Sequence, residues 1–328
     1  MRSSRMAEKS QPLSPGGVIA GTRGRRAARV DYVDELGRAL PRSSPGLWRR
    51  AWRRYRQNTA AVVALVVVVL IVLFALSAPL ISRYVTGYTY AENHLSEKLK
   101  PPFSDGYLLG SDGNGRDVLT RLAYGGRISL MVAALAVVAI LFIGGTIGAI
   151  AGYFGGILDS LLMRLADVLL SIPTIVLLIL VASFYHPGPA MLAVFIASVS
   201  WAGVSRLIRG EVLGLRHREF VEAARVLGAS NTRILLRHIL PNVVPIIVVW
   251  SSLVIPSLIL AEATLSYLGL GVRVPTPSWG NMLQDAKTFL RQSWTLIFIP
   301  GFLIYVTVLA INLVATGLRD ALDPRLNQ

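Results

Sequence analysis

Two acidic side chains, Asp167 and Glu262, lie within long apolar stretches of the sequence. A charge at the centre of a membrane helix costs about 2.5–3.5 kcal/mol on insertion scales, so each carboxylate needs a partner or contact with water. Arg164 lies one turn before Asp167 and predicts a structural ion pair with it. Glu262 has no basic residue within a turn, so its partner must come from another helix or chain. For Glu262, helix packing and a place on a solute pathway both stay open.

Segment 218–242 has the spacing of a short helix, a turn and a second helix. Small and apolar side chains recur at i, i+3, i+4 and i+7, which places them on one helix face: Phe220, Ala223, Ala224 and Leu227. Gly228 permits a sharp turn, after which Ser230 or Asn231 can cap the second helix. Small alanines would let another protein approach closely, whereas a plain amphipathic helix would rest on lipid headgroups. The spacing alone does not decide between these two alternatives.

The motifs of nucleotide binding and hydrolysis are absent from the sequence. None of the four lysines stands in a G-x-x-x-x-G-K-[ST] frame, so the chain has no Walker A loop. It also contains no H-E-x-x-H, no G-x-S-x-G and no cysteine, which excludes thiolate metal sites and thiol nucleophiles. His94 and His186 are expected in outer loops, and we predict neither a metal site nor a catalytic residue. An intramembrane hydrolase is therefore the least favoured function.

Composition indicates that these residues belong to a membrane protein. Of the 328 residues, 53% are hydrophobic and 16% are charged, with a mean hydropathy of +0.57; soluble domains are about 25% charged. Charge-free gaps can each hold a span, because about 20 apolar residues cross the hydrocarbon core. The gap from Asp167 to Arg206 can hold two, separated by the Pro- and Gly-containing stretch 185–189. We predict six helices in an all-α protein, at 59–80, 128–153, 160–185, 190–209, 242–269 and 294–317.

Basic residues predict the orientation of these helices. With the amino terminus inside, the inner segments hold 23 Arg or Lys and the outer segments hold nine. Cytoplasmic loops are enriched in basic residues, so the amino terminus, the loop 206–241 and the carboxyl terminus are expected in the cytoplasm. The first apolar run, which starts near residue 59, is predicted to be a retained signal anchor.

The net charge of +15 comes mostly from the first 58 residues. Residues 1–46 are rich in Ser, Pro, Gly and Arg, and are predicted to form a disordered cytoplasmic tail. Residues 48–56 interleave Trp and Tyr with Arg directly before the first membrane helix, which favours an anchor on anionic lipid over nucleic-acid binding. Residues 47–127 then comprise this juxtamembrane segment, the first membrane helix and an outer loop, and residues 128–328 comprise the remaining five helices.

Segment 218–242 also carries a family resemblance. Glu222-Ala223-Ala224, Gly228 and Leu240-Pro241 resemble the EAA signature of ABC-importer permeases. The common pattern has Ile two residues before the Leu-Pro pair; His238 stands there instead and resembles the form found in the peptide branch. Further stretches resemble the C-type permease subunit of dipeptide, oligopeptide and nickel importers, so that the similarity covers roughly residues 48–325: 109–117, 121–130, 152–156, 171–173, 262–271, 277–280 and 318–325.

The resemblance implies a type I ABC-importer permease fold in a bacterial plasma membrane. It implies that Glu222, Ala223, Ala224, Gly228, Leu240 and Pro241 form coupling helices that fit a groove on an ATP-hydrolysing subunit. The implied partners are a second homologous permease, two ATP-binding subunits and an extracytoplasmic solute-binding (lipo)protein, besides membrane lipids and without nucleic acid. This chain would bind no cofactor, and ATP and Mg²⁺ would be held by the partner subunits.

The resemblance favours peptides as substrate, while nickel chelates, glutathione-like peptides and haem stay open. A stand-alone ion-coupled secondary transporter is the alternative function. It should show inverted repeats and paired discontinuous helices, which the sequence does not show clearly.

Overall fold

The computed structural model describes residues 47–104, 106–185 and 187–322. These residues form helices and loops, with two isolated β-bridges and no β-strand. The prediction of a disordered tail at 1–46, His186 and the last six residues lie outside the described residues. The helices are, in chain order, α1 (Leu47–Tyr55), α2 (Thr59–Leu76), α3 (Val118–Phe154), α4 (Gly156–Ser171), α5 (Thr174–Phe184), α6 (Pro189–Leu215), α7 (Glu219–Val226), α8 (Asn231–Tyr267, π-helical over Ile234–Ile239), α9 (Trp279–Ala286) and α10 (Thr295–Leu322).

Five of the described helices, α2, α3, α6, α8 and α10, are long and apolar enough to cross a membrane. The bent pair of α4 and α5 forms a sixth span if the two helices are counted together. The prediction of an all-α protein with about six membrane helices is therefore confirmed. These helices pack against one another: α3 packs along α6, and α10 packs against both α8 and α2.

The second membrane helix is longer at its amino-terminal end than predicted, because α3 begins at Val118 and not near residue 128. Asp117 caps it, with its Oδ2 accepting a hydrogen bond from the Thr120 backbone N–H at 2.7 Å. Arg121 in the first turns is buried, and its guanidinium lies 3.4 Å from both Asp112 and Asp285. Asp112 of the preceding loop and Asp285 of α9 thus neutralise the buried charge of Arg121. The hydropathy pattern places this arginine before the start of the helix.

The predicted helix at 160–185 is divided into two helices at a sharp bend. The helix ends at Ser171, Ile172 is extended, and α5 starts at Thr174 with its axis turned by 89°. Pro173 cannot donate a backbone hydrogen bond and disfavours helical geometry in the residue before it, so the chain breaks there. A proline within an apolar span predicts a kink or break in the helix, and the bend at Pro173 confirms that prediction.

The glycine repeat of α3 lies against α6. A Cβ at Gly152 would lie 2.8 Å from the Arg209 carbonyl oxygen, and one at Gly144 would lie 2.6 Å from that of Trp201. At Gly148 a Cβ would overlap the Ser205 carbonyl oxygen. Glycine recurs every fourth residue at 144, 148, 152 and 156, a spacing that predicts close helix packing. The first three glycines create a close backbone approach between α3 and α6, whereas Gly156, at the start of α4, has open space around it.

The loop before α3 has its own polar network. The Tyr107 hydroxyl donates to Glu97 Oε2 at 2.6 Å, and Lys100 Nζ lies 2.9 Å from Glu97 Oε1. These two donors hold the pKa of Glu97 below its ordinary value, while burial and the bond to Glu97 raise the pKa of Tyr107. The network fixes the loop next to the amino-terminal end of α3.

Replacing Gly148 with Ala tests the α3–α6 approach. The new methyl group overlaps a backbone oxygen that cannot move independently, so the variant should lose about 1–3 kcal/mol of unfolding free energy. Gly210→Ala on α6 is the matched control: a Cβ there has open space, and Ala favours helix by up to about 1 kcal/mol. Thermal unfolding in detergent measures both, and equal midpoints for the two variants would contradict the packing.

Candidate functional site

Helix α7 contains the Glu-Ala-Ala sequence and lies on the surface of the described structure. Glu219 and Glu222 are in its first turn, where carboxylates favour the positive end of the helix dipole, and both are exposed. Within the described residues, neither carboxylate forms an ion pair or a hydrogen bond. These two charges are thus available to an outside partner.

The turn after α7 is a Schellman motif centred on Gly228. The Ala229 N–H donates to the Ala224 carbonyl and the Gly228 N–H donates to the Arg225 carbonyl, both at 3.0 Å. Gly228 has a φ of +80°, the left-handed geometry that the motif requires. Glycine is therefore needed here for its backbone, because a Cβ would meet no atom within 4 Å.

One face of α7 packs against the helical core. Val221 is fully buried and Ala224 nearly so, in the cluster that also contains Ile234 and Ile239 of α8. The predicted face is only partly right, because Ala223 is exposed while its neighbour Ala224 is buried. The two alanines of the motif therefore have different surroundings, one inside the fold and one on the surface.

Polar contacts tie this region to the ends of α3 and α6. The Tyr153 hydroxyl donates to Asn231 Oδ1 at 2.8 Å, linking the end of α3 to the start of α8. Arg216, which follows α6, donates to the carbonyl of Gly152 at 3.3 Å. These contacts join the ends of α3 and α6 and the start of α8 on either side of α7.

The tip of α7 is the feature that sequence reasoning missed. Val226 and Leu227 are each 87% exposed, the most exposed apolar pair in this part of the chain. The i, i+7 spacing places Leu227 on the face of Phe220, but the helix ends at Val226 and the turn directs the tip outwards. The signal in the sequence is the following glycine, since glycine is the residue that most often ends a helix in the left-handed conformation.

The Leu-Pro pair lies at the start of the regular α-helical part of α8. Leu240 is half-buried against the core, and Pro241 follows directly after the π-helical stretch Ile234–Ile239. The chain is already helical from Asn231, so the second helix of the predicted helix–turn–helix and the following membrane helix are continuous. The Leu-Pro pair and α7 therefore belong to one surface region.

The predicted pairing of Arg164 with Asp167 is wrong. The structure pairs Asp167 on α4 with Arg206 on α6, and a second pair joins Asp159 to Arg209, with Arg209 Nη2 2.6 Å from Asp159 Oδ2. Asp167 faces α6, so an arginine of the packed neighbour reaches it where the arginine on its own helix does not. Both side chains of the Asp167–Arg206 pair are about half exposed.

Glu262 is fully buried between α8 and α3. Its Oε2 accepts a hydrogen bond from the Ser129 hydroxyl, and its Oε1 accepts one from the Ser266 hydroxyl, each at 2.7 Å. Ser129 Oγ also accepts the backbone N–H of Trp279 at 3.3 Å. This geometry favours helix packing over a place on a pathway, because the carboxylate joins α3, α8 and the start of α9 and has no exposed surface.

An uncharged cleft opens between α5, α6 and α8 beside the Pro173 break. Its volume is about 430 Å³, and its lining is apolar apart from hydroxyl groups. The hydroxyl residues are Thr174, Ser200, Ser257 and Thr264. Sequence reasoning did not identify them, although Ser257 and Thr264 are seven residues apart and share a face of α8. Within the described residues, no group of three or more His, Asp or Glu side chains could hold a metal ion.

Two family models match the chain. Residues 144–328 match the model of the binding-protein-dependent transport system inner membrane component. Residues 46–102 match that of the N-terminal TM domain of oligopeptide transport permease C. The first match contains α4 to α10, including the whole of segment 218–242.

Curated relatives are similar over nearly their whole length. The oligopeptide transport system permease protein OppC of Escherichia coli K12 is 43% identical over 296 residues, which cover 90% of this chain and 97% of the relative. The dipeptide transport system permease protein DppC of Alkalihalophilus pseudofirmus is 40% identical, covering 85% and 90%. OppC of Bacillus subtilis is also 40% identical, covering 88% and 93%.

Glu262→Ala tests the buried carboxylate. The change leaves the Ser129 and Ser266 hydroxyls without their acceptor, at about 1–3 kcal/mol for each buried group left unpaired, and should lower the unfolding midpoint clearly. Glu262→Gln keeps an acceptor oxygen and should lose less. Glu211→Ala on the exposed side of α6 is the control and should change stability by less than about 0.5 kcal/mol. A Glu262→Ala variant as stable as this control would contradict the role in packing.

Proposed function

The chain belongs to the family of binding-protein-dependent transport system inner membrane components, and we propose that it is the membrane permease subunit of an ATP-driven peptide importer. It is an integral inner membrane protein that works with other transport components. The proposal that peptides are its substrate rests on the names of its relatives, which transport dipeptides and oligopeptides. The family match does not support the stand-alone secondary transporter.

The exposed tip of α7 is the observation that carries the coupling role. Val226 and Leu227 are each 87% exposed, and contact of such apolar side chains with water is unfavourable. Because unpaired carboxylates lie beside them, this tip suits a partner with an apolar groove and a basic rim. We assign that partner to an ATP-binding subunit, because this chain has no Walker A loop of its own. ATP and Mg²⁺ would then be bound by the partner.

Residues Glu222 and Ala223 would contact the partner, whereas Ala224, Gly228, Leu240 and Pro241 would hold the contact surface in place. This division follows from burial, since Ala224 and Leu240 pack into the core and Gly228 fixes the turn. The bonds to α3, α6 and α8 would convert movement of the docked partner into a rigid-body movement of the membrane helices.

The cleft between α5, α6 and α8 is the proposed contribution of this chain to the solute pathway. A second homologous permease would form the opposite wall, and an extracytoplasmic solute-binding protein would deliver the substrate. Hydroxyl groups without charges suit the peptide backbone, which every peptide shares, whatever the charge of its side chains. This topology requires the amino and carboxyl termini and α7 on the cytoplasmic side, in agreement with the distribution of basic residues.

Replacing Val226 and Leu227 together with Ser tests the coupling. Both side chains are exposed, so the fold should be unchanged, while association with the ATP-binding subunits should fall by at least about tenfold, as expected when apolar anchors are removed from an interface. Glu222→Lys should also weaken association, and Gly228→Pro should do so because proline cannot adopt a φ of +80°. The measurements are co-purification, ATPase activity and peptide uptake in reconstituted vesicles.

Glu92→Lys in the outer loop is the matched charge reversal, and it should leave association with the ATP-binding subunits unchanged. Wild-type ATPase coupling and uptake in all three α7 variants would overturn the coupling role. Uptake of no peptide by a complex with normal ATPase coupling would overturn the substrate and leave the coupling intact.

A further inference from the structure

The basic helix α1 is docked on the membrane helices by its apolar face. Ala51 and Tyr55 are buried in a cluster with Ala61 of α2 and Ala321 of α10. The Tyr55 hydroxyl donates to the Ala61 carbonyl at 2.9 Å. Gly317 of α10 gives room for this contact, since a Cβ there would overlap Ala61 and lie 3.2 Å from the Tyr55 ring. The orientation of α1 about its axis is therefore fixed.

This docking leaves arginines on the free face of α1. Arg49, Arg53 and Arg56 follow i, i+4 and i+7 spacing and are exposed, as is Trp52 between them. The Arg56 N–H donates to the Trp52 carbonyl at 3.1 Å, so the helical turn continues to Arg56. Neither α1 nor α2 contains an acid, and Asp320 in the last turn of α10 is the acid on the helix packed against them.

An apolar groove starts just beyond this basic face and runs between α2 and α10. It has a volume of about 370 Å³. Ala64 and Ala310 are buried along it, while larger side chains such as Val63 and Leu309 stand exposed beside them. From Thr59 to Val67 it extends about 12 Å along α2, at 1.5 Å per residue. Its single polar lining residue, Thr59, lies at the end next to Arg56.

The exposed arginines, the Thr59 hydroxyl and the apolar groove follow one another in the same order as the headgroup, ester and acyl chain of a lipid. A negatively charged headgroup matches three arginines, the Thr59 hydroxyl can donate to an ester or phosphate oxygen, and an acyl chain fits a groove without charge. A helix of a partner protein would match the groove but would not account for three exposed arginines at one end, where Asp320 is the acid on the packed helices. The interfacial Trp52 also has the location expected at the headgroup level.

We propose that α1 and the groove between α2 and α10 form a specific binding site for an anionic diacyl phospholipid. The headgroup is bound by Arg49, Arg53 and Arg56, and one acyl chain lies in the groove. The lipid covers the exposed groove along the contact between α2 and α10, and so fixes the first membrane helix to the rest of the permease.

The test is photo-crosslinking of the full chain, in its complex, in lipid nanodiscs of phosphatidylcholine. The probe is phosphatidylglycerol with a photoreactive group in one acyl chain, and adducts are located by mass spectrometry of peptides. We expect adducts concentrated at 59–67 and 306–313. Unlabelled phosphatidylglycerol should compete for them far better than phosphatidylcholine.

Two variants separate the headgroup site from the groove. We expect the exchange of Arg49, Arg53 and Arg56 for Gln to weaken binding of the headgroup by about fivefold per arginine. The concentration of unlabelled phosphatidylglycerol that halves the labelling should therefore rise on the order of 100-fold. Ala60→Trp fills the exposed edge of the groove and should abolish the adducts without a change in charge. The controls are Arg83→Gln at the other end of the first membrane helix and Val66→Trp on its exposed face outside the groove; neither should alter labelling.

Three results would overturn the proposal. Labelling spread evenly over the exposed side chains of α2, or equal competition by both lipids, would mean ordinary contact with bulk lipid. Adducts that form on the isolated chain but not on the complex would mean that a partner subunit occupies the groove.

Discussion

The close backbone approach of α3 and α6 is the constraint on which the rest of the structure depends. Glycines at 144, 148 and 152 remove the side chains that would separate the two helices. In a bilayer, where apolar burial does not drive helices together, such packing contacts supply the association. Because α3 carries Ser129 and Tyr153 and α6 carries Arg206 and Arg216, the placement of the buried carboxylate, the α4 ion pair and the coupling surface all follow from it.

Polar groups within the apolar spans form the second layer of specificity. Glu262 joins α8 to α3 and, through Ser129, to the start of α9. Arg121 is held between Asp112 and Asp285, so the loop before α3 and helix α9 both contact the amino-terminal end of α3. The buried charges of Glu262 and Arg121 thus each find a partner from a different segment, and other arrangements of these segments would leave them unpaired.

The proposed transport mechanism needs a rigid connection between the cytoplasmic surface and the membrane helices. Helix α7 meets this need with buried Val221 and Ala224 on one side and an exposed apolar tip on the other. The Schellman turn at Gly228 fixes the angle between α7 and α8. In contrast, the cleft beside Pro173 has a wall open to the outside of the chain, as expected where a second permease is proposed to complete it.

The sequence by itself determined the membrane class, the helix count, the break at Pro173, the turn at Gly228 and the glycine packing face, because each depends on local composition or backbone freedom. Only the tertiary structure decided the partner of Asp167, the burial of Glu262, the split between Ala223 and Ala224 and the exposure of Val226 and Leu227. Periodicity places a residue on a helix face but does not say which neighbour that face meets. Charge partners and exposure depend on contacts between residues far apart in the chain, such as Ser129 with Glu262.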